Sequence, residues 1–161
     1  MRVWTFRALA LPLVLVAGLL VAAPPRAADA ATSGLAISAV NVQNYGAIAR
    51  TALAALDQQR GECLPWVRSV IQAATGRTIG ADYNTGYLQA GAIEVPLINA
   101  RDGDIIQITN PTNTQPNADY VGLHTAIVLD NLGGGKFRVV DSNSNYDGIV
   151  DRKSTRLNSS H

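Results

Sequence analysis

Apolar residues recur at helical spacing in two neighbouring stretches. Tyr45, Ile48, Ala49, Ala52, Leu53 and Leu56 repeat at i, i+3, i+4 behind Asn44, a good N-cap, so a helix is expected over about residues 44–60. Cys63, Trp66, Val67, Val70, Ile71 and Ala74 form a second stripe, which predicts a helix that opens at Cys63 and closes at Gly76. Gly61 separates the two, and Pro65 falls in a first turn, where a missing N–H removes no intrahelical bond. Further on the pattern becomes strand-like. Residues 104–109 (Asp-Ile-Ile-Gln-Ile-Thr), 124–129 (His-Thr-Ala-Ile-Val-Leu) and 137–141 (Phe-Arg-Val-Val-Asp) are short and rich in β-branched residues. The last two flank the glycine-rich stretch 130–136, a hairpin signal with a loop longer than the tightest kinds. Residues 76–103 carry Gly76, Gly80, Gly86, Gly91, Gly103 and Pro96 with little periodicity and read as a long loop walling a cleft. Tyr83, Asn84 and Tyr87 are candidate ligand contacts there, with packing the expected role for either tyrosine. Residues 110–120 read as a second loop. Helices followed by strands predict an α+β fold, N-terminal helices packed on a small antiparallel sheet.

The two ends change the domain picture. Residues 1–30 read as a secretory signal peptide: Arg2 and Arg7 are basic, residues 8–23 are apolar apart from Pro12 and Gly18, and Ala28-Asp29-Ala30 is a small-x-small cleavage site. The apolar run is shorter than the roughly 20 residues of a membrane span, and an uncleaved anchor is the competing reading. Residues 31–43 read as a linker or a first edge strand. Residues 151–161 (Asp-Arg-Lys-Ser-Thr-Arg-Leu-Asn-Ser-Ser-His) match a translated sequencing adapter, so the domain is expected over residues 44–150, incomplete at its C-terminus and short of a closing strand. Over residues 31–150 seven basic side chains face ten acidic ones, a balance of −3 against +1 for the whole chain. The positive balance thus resides in the ends, and with no basic run a nucleic-acid partner is not expected. A secreted or extracytoplasmic location is expected, with no stable membrane insertion once the signal is removed, and a monomer.

Candidate chemistry centres on Cys63, the only cysteine, and His124, the only histidine outside the tail. A small buried hydrophobe is the ordinary role of a lone cysteine. A helix N-terminus, however, carries partial positive charge that favours thiolate, and an exported protein offers this thiol no disulfide partner. If Leu129 pairs with Lys136, antiparallel register sets His124 opposite Asp141; a shift of two sets it opposite Asn143. A shift of one would part them to opposite faces. A thiol at a helix start, a histidine on a strand and a carboxylate or amide across from it are the parts that thiol nucleophilic catalysis requires, in the papain-like order.

Gly-Glu-Cys-Leu-Pro-Trp-Val (61–67), Gly-Asp-Ile-Ile-Gln-Ile (103–108), Leu-His-Thr-Ala-Ile-Val (123–128) and Val-Val-Asp-Ser-Asn-Ser-Asn (139–145) resemble the landmarks of CHAP domains (cysteine, histidine-dependent amidohydrolases/peptidases). These are a papain-like group that cleaves peptidoglycan, and the likeness covers roughly residues 45–148. The resemblance implies a papain-like CHAP fold, Cys63 as nucleophile, His124 as base, and Asp141 and Asn143 as the acid-x-Asn partners. It implies the peptide part of peptidoglycan as substrate, cut at the N-acetylmuramoyl-L-alanine amide or within a stem or cross-bridge. The chemistry needs no cofactor or metal. Asn143-x-Asn145-x-Asp147-Gly148 resembles part of a calcium loop, but its closing acid would fall in the adapter-like tail. A second class of function is a cell-wall-binding or surface module that keeps the fold without turnover. Glu62 supports it, since a carboxylate beside Cys63 opposes thiolate unless it points to solvent. An acyltransferase using the same thiol is a third.

Overall fold

The computed structural model describes residues 1–6, 46–82, 85–110 and 122–157. The linker, Asn44, Tyr45, Tyr83, Asn84, most of the 110–120 loop, residues 7–30 of the leader and residues 158–161 of the tail lie outside them. The chain is α+β, with a six-stranded antiparallel sheet and few helices. The elements are β1 (Arg2–Thr5), α1 (Ala47–Leu53), α2 (Cys63–Thr75), α3 (Thr85–Gln89), β2 (Ile93–Val95), a 3-10 turn (Leu97–Asn99), β3 (Ile105–Asn110), β4 (Gly122–Gly133), β5 (Lys136–Ser142) and β6 (Val150–Arg156). The sheet order is β2-β1-β3-β4-β5-β6.

The second helix forms as its pattern predicts. Cys63, Trp66, Val67, Val70 and Ile71 are buried along one stripe, and Ala74 is half-buried. Pro65 sits in the first turn, and intrahelical bonding starts with Trp66 N–H to the Glu62 carbonyl. Gly76 ends the helix in the left-handed conformation at φ 71°, its N–H bonded to Gln72 O. The first helix is shorter than its pattern. It ends at Leu53, where the bonding tightens to Ala55 N–H on Ala52 O and Leu56 N–H on Leu53 O. Asp57 then takes a positive φ of 62° and donates its N–H to Val150 O, so backbone pairing with a distant segment wins over helical propensity.

The stretch expected as one long loop carries α3, β2 and the 3-10 turn. Tyr87 of α3 packs: it is fully buried, its ring is stacked on Trp4 at 5.5 Å and 4°, and its hydroxyl lies 3.4 Å from Thr125 Oγ1. Trp4 comes from the stretch read as a leader. Val3 and Trp4 of β1 are buried between β2 and β3, and Trp4 Nε1 donates to Gln107 Oε1. The other end also joins the sheet. β6 pairs with β5 residue by residue from Ser142↔Val150 to Lys136↔Arg156, and its alternation half-buries Asp151, Lys153 and Thr155. The outer edge thus belongs to a strand bearing Arg152, Lys153 and Arg156, charges that disfavour edge-to-edge pairing.

The two faces of the sheet have separate cores. Val3, Ile106, Ala126, Val128, Val139 and Leu157 cluster on one face with Ala100 and Phe137, without any residue of α1 or α2. The helices cover the other face, where Thr125 meets Tyr87 and Ser142 meets Gly61. Among the described residues no helix is long and apolar enough to cross a membrane.

Gly76→Ala is expected to lower unfolding stability by about 1 kcal/mol, because nothing lies within 4 Å of the added methyl and only the left-handed backbone resists it. A urea titration of both proteins measures this; no loss would mean that the helix end relaxes.

Candidate active site

The β4–β5 hairpin brings the site together, in a register set by features hidden in its sequence. β4 runs on to Gly133, which pairs with Lys136 across a two-residue turn of Gly134 and Gly135. Both glycines have positive φ, 57° and 75°, as the tightest hairpins require. The turn is therefore tighter than the long loop expected from the glycine-rich stretch. Two irregularities, between Val128 and Asp130 and between Asn131 and Gly133, then slide the pairing. Beyond them Ala126 lies opposite Asp141 and Val128 opposite Val139, so Asp141 is diagonal to His124 on the same face.

The diagonal is bridged. His124 Nε2 lies 3.0 Å from Asp141 Oδ2, both residues being buried. Lys153 Nζ from β6 reaches the same oxygen at 2.8 Å. Asp141 Oδ1 is buried and makes no hydrogen bond among the described residues. The side chains of Cys63 and His124 interact, which favours the charged ring. With Nε2 committed to Asp141, Nδ1 is the ring nitrogen left for the sulfur. Burial works against a charged ring, yet the hydrogen bonds and charges of Asp141 and Cys63 outweigh it and raise His124 to about 9. Burial likewise penalises the Asp141 carboxylate, and His124 and Lys153 reverse the sign and hold it below the usual carboxylate range. Tyr87 is pushed up to about 12, chiefly by burial.

Comparisons of the chain with protein-family models, curated proteins and solved structures return no match. Of the four residues singled out in the sequence, Cys63, His124 and Asp141 converge. Asn143 stands elsewhere: it leaves the strand at φ 64°, and its Oδ1 accepts the Gly148 N–H at 2.8 Å. Its amide organises the 143–148 turn rather than the ring. Glu62 is exposed and makes no capping hydrogen bond, which sets its carboxylate toward solvent. Lys153 was missed because its segment was set aside as adapter-like. Beside the ring lies a pocket of about 150 Å³, walled by Ile106, Ile108, Ala126 and Val139 with Asp141 and Lys153 at its polar side. No group of three His, Cys, Asp or Glu side chains among the described residues is placed to hold a metal ion.

The arrangement supplies what thiol chemistry uses: a ring kept protonated near neutral pH beside a sulfur at a helix start, with a carboxylate fixing the ring's far nitrogen. It also links pH to stability. A histidine raised from about 6.5 to about 9 stabilises the fold fully below the lower value and loses that contribution as pH rises through the upper one. Asp141, held low, contributes above the ordinary carboxylate range and loses its contribution on acidification through its folded value. Urea midpoints of the wild type are expected to fall between about pH 6.5 and 9, and the fall to flatten in His124→Gln; parallel curves would show that the ring does not titrate there.

Proposed function

We propose that the protein is a cysteine hydrolase of the CHAP type that cleaves amide bonds in the peptide part of peptidoglycan, acting outside the cytoplasm. The observation that carries the reading is the buried Cys63–His124–Asp141 chain of contacts, with Nε2 of the ring on the carboxylate. The four motif stretches that resemble CHAP domains supply the substrate class.

In this mechanism Cys63 and His124 form a thiolate–imidazolium pair. The thiolate adds to the amide carbonyl carbon, and the oxyanion is met by the backbone N–H of Cys63 at the start of α2, where the helix dipole also favours negative charge. Collapse breaks the C–N bond as the imidazolium gives its proton to the departing amine, leaving a thioester and a neutral ring. Water then adds to the thioester, its proton passing to His124, and release of the carboxylic acid restores the ion pair. Asp141 keeps the ring oriented and its charge compensated through both halves of the cycle.

The exposed Glu62 bears on the alternative of a binding module. A carboxylate in water opposes the thiolate weakly, since solvent screens it. Purified peptidoglycan incubated with the protein and resolved by mass spectrometry tests the proposal. New amine and carboxyl ends are expected, falling by about a thousandfold or more in Cys63→Ala while its circular dichroism stays native. Retention on the wall without any digestion, equal in both proteins, would favour the binding module. An acyl group transferred to an added amine in place of hydrolysis would identify an acyltransferase.

A further inference from the structure

The turn that delivers Cys63 is tied to the strand that carries Asp141 through one glycine. The Gly148 carbonyl accepts the N–H groups of Arg60 at 2.8 Å and Gly61 at 2.9 Å. The N–H of the same Gly148 goes to Asn143 Oδ1. From β5, the buried Ser142 hydroxyl donates to the Gly61 carbonyl at 2.6 Å. Gln59 adds its side-chain amide to Asp147 O, and its backbone bridges to Ile149. Gly148 itself has φ 72°, and an added Cβ would stand 3.3 Å from Gly61 Cα, so only glycine fits without displacement.

We infer that Ser142 and Asn143 are positioning residues which, acting through Gly148 and Gly61, set where Cys63 stands relative to His124. This rests on the thiol reading above. Ser142 follows Asp141 directly, so one strand end holds the ring's carboxylate and the nucleophile's turn at adjacent residues. Gly61 is two residues before Cys63, and its backbone is bonded on both its N–H and its C=O, which leaves that turn little freedom. Asn143 thereby has a role that does not need contact with the imidazole. Its left-handed conformation, which Asn tolerates better than most residues, is what turns its side chain back onto Gly148.

The test reads the rate of Cys63 alkylation by iodoacetamide against pH, with urea midpoints alongside, and needs no substrate. The wild type is expected to react readily at about pH 6. Ser142→Ala and Asn143→Gly are expected to react about tenfold more slowly there and to converge with the wild type at high pH, where the thiol ionises unaided. Asn143→Asp retains the acceptor for the Gly148 N–H and is expected to keep the wild-type profile. A merely structural clasp lowers the urea midpoint of the first two variants and leaves the pH profile unmoved, which overturns the inference. A wild type that itself reacts as an ordinary thiol overturns the thiol reading and this inference with it. If Ser142→Ala does not fold, Asn143→Gly decides by the same two outcomes, since glycine takes its backbone conformation without strain.

Discussion

A carboxylate and an imidazole face each other across β4 and β5 on a sheet surface otherwise lined by Ile106, Ala126, Val128 and Val139. Either one alone would be costly there: Asp141 is fully buried and His124 nearly so, and an ionised group taken from water without a partner loses several kcal/mol of solvation. Together they satisfy one another, with Lys153 as a third party on the same oxygen. The pair therefore constrains the hairpin as strongly as the aliphatic alternation does. A register slipped by one residue would put His124 and Asp141 on opposite faces of the sheet and leave the carboxylate buried without the ring. The orphaned Oδ1 of Asp141 shows that the compensation is incomplete even in the observed register.

The rest of the domain follows from what must approach this pair. α2 can present Cys63 to the ring only if the chain before it turns sharply out of α1, and that turn is made at Asp57 and Gly61, both at positive φ. The same backbone then pairs with the segment after the 143–148 turn, through Asp57 N–H on Val150 O and Val150 N–H on Gln58 O. Helix, turn and strand end are thus hydrogen-bonded into one corner, while Tyr87 and Trp4 pack the face behind Thr125, the neighbour of His124.

Much of this corner was legible in the sequence, and the parts that were not have physical reasons. α2 was readable at both ends because thirteen residues of clear period are bounded by a first-turn proline and a left-handed glycine, three signals that agree. The pairing of His124 with an acid on the neighbouring strand was readable because the period of two preserves the face whichever even shift is taken. The register was narrowed to two, of which the shift of two is the one that forms, with Ala126 opposite Asp141; the choice between them was not readable. It is set by two strand irregularities whose residues, from Val128 to Gly133, give no composition signal, and by a turn that uses two of three consecutive glycines. The overlong first helix misled because Leu56 continues the apolar stripe, whereas Asp57 is claimed by Val150, a partner 93 positions away (150 less 57) that local periodicity cannot register. β1 and β6 lie in stretches that resemble a leader and an adapter-like tail, and neither carries the β-branched run that marks β3 to β5.

The diagonal register also explains how Asp141 reaches the ring. Directly opposed side chains on one face stand about 5 Å apart at Cβ, too close for an imidazole to lie between its own Cβ and a carboxylate and bond through its far nitrogen. A diagonal pair stands about 7–8 Å apart, which accommodates the ring at full reach. In that geometry the distal Nε2 is the atom that meets Asp141, as observed, which leaves the proximal Nδ1 for Cys63. Direct opposition would have favoured contact through the proximal nitrogen. The two irregularities between Val128 and Gly133 therefore do more than bend a hairpin: an unbroken register from Gly133↔Lys136 would set Asp141 opposite Val128, and they bring it opposite Ala126, diagonal to His124.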